Sequence, residues 1–199
     1  MKVSQKPRFA NELGLVHVIT GDGKGKTTSA IGTAFRAAGH GFRVYFIQFM
    51  KGGRFYGELA AAEKHMKGRI KWAQFGQSTP QAEKIRRGEL KPDRAIFLPF
   101  EDEAEKMKEA LSFAEKVIMS EKYNLVVLDE INVVMDKKLI DKEDVLKLVM
   151  QKPKNVELIL TGRDAPKEIR LVADYVNEMK SIKHPFDTSG TLGRRGIEY

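Results

Sequence analysis

Leu15-Val16-His17-Val18-Ile19-Thr20-Gly21-Asp22-Gly23-Lys24-Gly25-Lys26-Thr27-Thr28 is the stretch that decides the fold. An apolar run over 15–19 enters a glycine-rich turn. A segment with Ala30, Ile31, Ala34, Phe35 and Ala38 on one helical face leaves it. Strand, turn and helix in that order is the setting of a phosphate-binding loop. Gly21, Gly23 and Gly25 let the backbone turn its N–H groups inward, and the helix N-terminus adds partial positive charge. The candidate nucleotide-binding set is therefore Gly21, Asp22, Gly23, Lys24, Gly25, Lys26, Thr27 and Thr28. Lys26 brings a mobile charge for the outer phosphates, and the Thr27 hydroxyl can reach a Mg²⁺ ion. One position departs from the usual pattern. Counting back from Gly25, the opening glycine falls on Thr20, with Gly21 one place later.

The rest of the chain supports a mainly parallel α/β sheet with helices on both faces. Apolar strands are read at 43–49, 70–75, 125–128, 156–161 and 175–179. Helical patterns are read at 57–67, 100–118, 142–151 and 166–174. The sequence predicts a single domain over 1–199, with an N-terminal arm at 1–13, a long charged loop at 77–99 and a polar tail at 180–199.

Ligands of such sheets sit at the carboxyl ends of the strands, where the remaining candidates fall. Leu125-Val126-Val127-Leu128 runs into Asp129-Glu130, an apolar strand ending in acids that suit a metal ion; either acid could be the ligand. Val156–Leu160 runs into Thr161-Gly162-Arg163. Arg163 could offset triphosphate charge, or pair with Asp164 or Glu168 on the surface. Lys51 and its neighbouring glycines follow a third strand end, as a phosphate or substrate contact or as a plain loop lysine.

Composition narrows the classes. The chain has 199 residues, no cysteine, a net charge of +8 and a pI near 9.5. Disulfides, thiolate ligands and cysteine nucleophiles are excluded. His17, His40, His65 and His184 form no metal-ligand spacing. The basic charge suits an anionic cofactor or nucleic acid, yet lysine interleaves with glutamate as on a solvated helix face, and nucleic acid is the weaker reading. With neither a signal-peptide core nor a membrane-length apolar run, a cytoplasmic protein is expected.

The combination resembles one family, the P-loop ATP:corrinoid adenosyltransferases. The matching pieces are Gly21–Thr28, Gln48-Phe49 with Lys51-Gly52, Gly57-Glu58, Val126–Glu130, Leu160–Arg163, Ala173-Asp174, Lys183-His184-Pro185-Phe186 and Arg195-Gly196-Ile197-Glu198-Tyr199. The resemblance implies a RecA-like P-loop NTPase fold and a homodimer. It implies transfer of the 5′-deoxyadenosyl group of ATP to cobalt(I) of a corrinoid, with release of triphosphate. Lys26 and Arg163 would be catalytic, and Thr27, Asp129 and Glu130 would hold Mg²⁺ or Mn²⁺. A flavin-type reductant protein is a candidate partner. The reduced cobalt is the nucleophile, which suits a chain with no catalytic triad. The match is weakest after the third strand, where Trp72, Phe75, Phe97 and Phe100 are candidates for corrinoid contact, each also open to a core role. The rival readings are a RecA-type nucleic-acid-stimulated ATPase and a small-molecule kinase; both would make ADP instead of triphosphate.

Overall fold

The computed structural model describes residues 13–53, 56–76, 84, 102–191 and 193–198. Residues 1–12 of the arm read at 1–13, almost all of the loop at 77–99, Phe97 and Phe100 lie outside the described residues.

Six strands form one sheet: β1 (Val16–Thr20), β2 (Val44–Phe49), β3 (Ile70–Phe75), β4 (Leu125–Asp129), β5 (Glu157–Thr161) and β6 (Tyr175–Glu178). The order is β3-β2-β4-β5-β1-β6, and every pairing is parallel. The helices are α1 (Lys26–Gly39), α2 (Gly57–His65), α3 (Glu103–Met119), α4 (Ile131–Asp136), α5 (Lys142–Gln151), α6 (Lys167–Val172) and α7 (Pro185–Ser189).

The continuous apolar runs of the central strands have a simple cause. Successive side chains point to opposite faces, and both faces are covered. Val16, Val18, Ile47, Phe49, Val126, Leu128, Leu158 and Leu160 join one core with Met107, Ala110 and Ala114 of α3, Val134 of α4, Val145 of α5 and Ile169 of α6. The alternate residues Ile19, Val44, Phe46, Leu125, Val127 and Ile159 meet Ala30 and Ala34 of α1 on the other face. Trp72 stacks on Phe46 with ring centroids 4.1 Å apart, and Phe75 packs against Phe113 of α3 at 5.3 Å. Both rings are thus engaged in packing.

The short helices α4 and α7, of six and five residues, were not expected. Neither is long enough to show a helical period. The helix read at 166–174 is shorter, because Ala173 already has extended backbone angles that lead into β6.

The amino end of the sheet is held by charged side chains on backbone groups. Glu157 Oε2 accepts the Gly14 and Leu15 N–H groups at 2.7 and 2.8 Å, and its Oε1 lies 2.6 Å from His17 Nε2. Burial raises the Glu157 pKa, but these hydrogen bonds outweigh it and hold the carboxyl below its usual range. Asp174 Oδ2 accepts the Val16 N–H at 2.8 Å, and Lys152 Nζ donates to the carbonyls of Gly14 and Val156.

The order also positions the carboxyl end. With β5 between β4 and β1, the tips of β2, β4, β5 and β1 stand in one row. Gln48 faces Asp129 across the β2–β4 pairing, and Thr161 faces Ile19 across the β5–β1 pairing. Polar residues that are far apart in sequence meet there.

Candidate functional site

The loop between β1 and α1 explains the displaced glycine. Thr20 is still part of β1, almost fully buried, and its hydroxyl accepts the Ala165 N–H at 3.2 Å. The turn begins at Gly21, with φ +97°, where an added Cβ would lie 2.4 Å from the Met179 carbonyl oxygen. β6 and the residue after it wall the loop. Met179 N–H donates to Thr20 O at 2.8 Å, and Gly23 N–H donates to Met179 O at 2.7 Å. A Cβ on Gly23 would lie 2.7–2.8 Å from backbone atoms of Lys180 and Met179. Gly23→Ala is therefore expected to cost roughly 1–3 kcal/mol, as overpacking against a rigid neighbour does. It should also weaken ATP binding by shifting the loop. Urea denaturation and nucleotide titration check both effects.

Lys26 curls over the loop and donates to Gly21 O at 2.7 Å and Gly23 O at 2.8 Å. Burial pulls its ammonium below the ordinary lysine range; Glu130 opposes this and Arg163 adds to it. Asp22 Oδ1 accepts the Ser181 N–H at 3.1 Å, which ties the loop to the C-terminal segment.

Asp129 is the hub beneath the loop, fully buried at the tip of β4. Its Oδ1 accepts from the Thr27 hydroxyl at 2.9 Å and the Thr161 hydroxyl at 2.7 Å. Its Oδ2 accepts from Gln48 Nε2 at 3.1 Å and Lys51 Nζ at 2.8 Å. Trp72 Nε1 and Gln74 Nε2 both donate to Gln48 Oε1, at 3.0 and 2.8 Å, which fixes the amide end that faces Asp129. Glu130 is held differently. Its φ is +68°, a left-handed conformation uncommon for a non-glycine residue. Its N–H donates to Thr161 Oγ1 at 3.1 Å, and its carboxylate stays partly open, 3.5 Å from Lys51 Nζ. Strain of this kind tends to persist where function requires it.

Above this hub lies a cleft of about 1000 Å³. The loop from Asp22 to Thr28 lines it, with Lys51, Glu130 and Arg163. Most of the expected residues are therefore brought to one cavity. Gly21 contributes its carbonyl from behind the loop, and Asp129 acts from below. Arg163 stands exposed after Gly162, while Glu168 is taken by Lys142 at 2.6 Å.

Several lining residues had no assigned role in the sequence. Met50, Tyr56 and Val133 form one side of the cleft, and His184, Phe186 and Ile197 come from the C-terminal segment. That segment turns back over the loop, where Glu198 lies 3.7 Å from Lys24 and is clasped by Arg194 at 3.1 Å. Arg194 pulls the Glu198 carboxyl down to about 2. Gln48 and Thr161 were visible as polar residues inside apolar runs, a signal that marks a buried hydrogen-bonding role.

Similarity to known proteins extends over almost the whole chain. The family model described as ATP:corrinoid adenosyltransferase BtuR/CobO/CobP matches residues 12–199. A corrinoid adenosyltransferase of Sinorhizobium sp is 35% identical over 191 residues, covering 95% of this chain and 82% of that protein. A corrinoid adenosyltransferase of Escherichia coli strain K12 is 32% identical over 190 residues, covering 95% and 87%. Among solved structures, the KaiC-like protein PH0186 of Pyrococcus horikoshii OT3 superposes with a TM-score of 0.54 at 19% identity, over 87% of this chain and 75% of that one. That last likeness supports the RecA-like P-loop fold alone. With a glycine-rich loop between β1 and α1, a strand-end acid beneath it and a family match over nearly the whole length, the chain belongs to the ATP:corrinoid adenosyltransferase family.

Proposed function

We propose that this ATP:corrinoid adenosyltransferase works by holding the triphosphate of ATP in the loop 21–28, leaving C5′ open to the cleft. Cobalt(I) of the corrinoid supplies an electron pair to C5′. The cobalt–carbon bond forms, the C5′–oxygen bond breaks, and the electron pair leaves on triphosphate. No protein nucleophile is required, so the chain contributes positioning and charge. Lys26 and Arg163 stabilise the charge of the departing triphosphate. Gly21, Asp22, Gly23, Lys24, Gly25, Thr28 and Lys51 shape or line the nucleotide seat.

The oxygen donors Thr27 Oγ1, Asp129 and Glu130 gather beside the loop, and all-oxygen sets suit Mg²⁺ or Mn²⁺. A divalent ion there would offset triphosphate charge. Asp129 already accepts four hydrogen bonds, which fills an ionised carboxylate. While Lys51 stays in place, Glu130 is therefore the acid with room for the ion; Asp129 orients Thr27 and gains room on Oδ2 only where Lys51 moves away. The corrinoid is placed against the apolar side of the cleft. Phe186 and Ile197 are 56% and 58% exposed at its mouth, with Met50 and Val133 deeper in. Covering those groups with a macrocycle would exclude water from cobalt.

A homodimer served by a flavin-type reductant in the cytoplasm completes the reading, on the family resemblance. Among the described residues, no helix is long and apolar enough to cross a membrane. The observation that carries the proposal is the loop with its Lys26 and the buried Asp129 hub opening into one large cleft. The test is product analysis with ATP, Mg²⁺ and chemically reduced cobalamin. A light-sensitive cobalt–carbon product with one triphosphate per turnover is expected. ADP as the product would overturn the proposal in favour of an ATPase or kinase.

A further inference from the structure

Lys51 occupies a singular place. Its ammonium lies 2.8 Å from Asp129 Oδ2, 3.0 Å from Thr27 Oγ1 and 3.5 Å from Glu130 Oε1. Those are the three groups assigned above to the metal. Burial works against its charge, but Asp129 and Glu130 outweigh that and hold the ammonium firmly protonated. Glu58, whose own carboxyl is pushed up by burial, also faces it.

The backbone of Lys51 is pinned. Gly76 N–H donates to its carbonyl at 2.9 Å, and a Cβ on Gly76 would lie 2.4 Å from Lys51 N. The side chain is not walled in. It lines both the main cleft and an adjoining cavity of about 490 Å³ bounded by Thr28, Ile31 and Gly57. Of the four donors on Asp129, Gln48 and Thr161 are wholly buried and Thr27 is held in the first turn of α1. Lys51 alone has a long flexible stem and open space beside it. An ammonium and a dication cannot share these ligands, because at 3–4 Å their repulsion is large in a partly desolvated site.

We propose that Lys51 is a resident counter-cation, holding the metal's place so that a divalent ion enters together with the triphosphate rather than ahead of it. Triphosphate brings the negative charge that draws the ammonium up into the cleft, and the ion takes the position it leaves. The site then keeps near-neutral charge in both states, and the nucleotide-free enzyme does not hold metal. This inference rests on Thr27, Asp129 and Glu130 being the metal-side residues.

The experiment is Mn²⁺ binding to the full chain, followed by the electron paramagnetic resonance signal of the free ion, with and without ATP. Without nucleotide, the unsubstituted protein should bind Mn²⁺ weakly, and Lys51→Met should bind it at least tenfold more tightly. Unchanged or weaker binding by Lys51→Met would overturn the proposal. Glu130→Gln should weaken Mn²⁺ binding in the presence of ATP; if it does not, the metal-site reading fails instead. A second measurement needs no variant. Lys51 acetylation by acetic anhydride, read by mass spectrometry, should speed up several-fold when Mn²⁺ saturates the nucleotide-free protein. No change at saturation would also overturn the proposal.

Discussion

Lys26→Ala is expected to lower the rate of adenosylation by on the order of 10²–10³-fold, as loss of a main charge stabiliser does, with little change in melting temperature. The ammonium's hydrogen bonds run to two carbonyls of its own loop, at 2.7 and 2.8 Å, and not to the core. Folding therefore loses little when it is removed. The departing triphosphate, by contrast, would lose a full positive charge that the loop supplies. Lys24→Ala is the matched control. Lys24 is about half exposed and its partner Glu198 lies 3.7 Å away, so its removal should cost much less. Single-turnover formation of the light-sensitive cobalt–carbon product measures both. Near-normal turnover by Lys26→Ala would remove the loop from the reaction.

The second large effect falls on stability. Asp129→Ala should lower the unfolding free energy by about 3–5 kcal/mol, the usual result of removing one partner from a buried charged pair. Four donors converge on that carboxylate, and the Lys51 ammonium would be left beside an apolar methyl. Glu130→Gln should behave in the opposite way. Its carboxylate is partly open and accepts no short hydrogen bond from the described residues, so the fold should tolerate the change while the Mg²⁺ requirement rises. Urea denaturation and Mg²⁺ titration of activity separate the two acids. Equal effects in both assays would place the metal elsewhere.

Much of the fold could be read before any coordinates, for identifiable reasons. β1, the glycine turn and α1 show a change of hydrophobic period at the loop. The run 125–128 shows that both of its faces are buried, which places β4 inside the sheet. Local pattern does not encode strand order. The insertion of β5 between β4 and β1 brings Thr161 onto Asp129, and nothing near Thr161 in sequence points to that contact. Gln48 presents the same difficulty. It stands out as an amide in an apolar strand, but its partners lie 24, 26 and 81 residues away. The return of residues 193–198 over the loop was equally hidden. It depends on where β6 ends and on the left-handed turn at Gly190, neither of which has a periodic signal.

The clasp that Glu157, Asp174 and Lys152 form at the amino edge has a practical consequence. It lies roughly 17 Å from the carboxyl edge of the sheet, the length of a five-residue strand, and it shares no side chain with the Asp129 hub. Heat resistance can therefore be engineered at that edge, by shortening the loops it gathers or strengthening its ion pairs, while the kinetics stay as they were. Robustness and turnover are separate properties in this sheet, each adjustable from its own end.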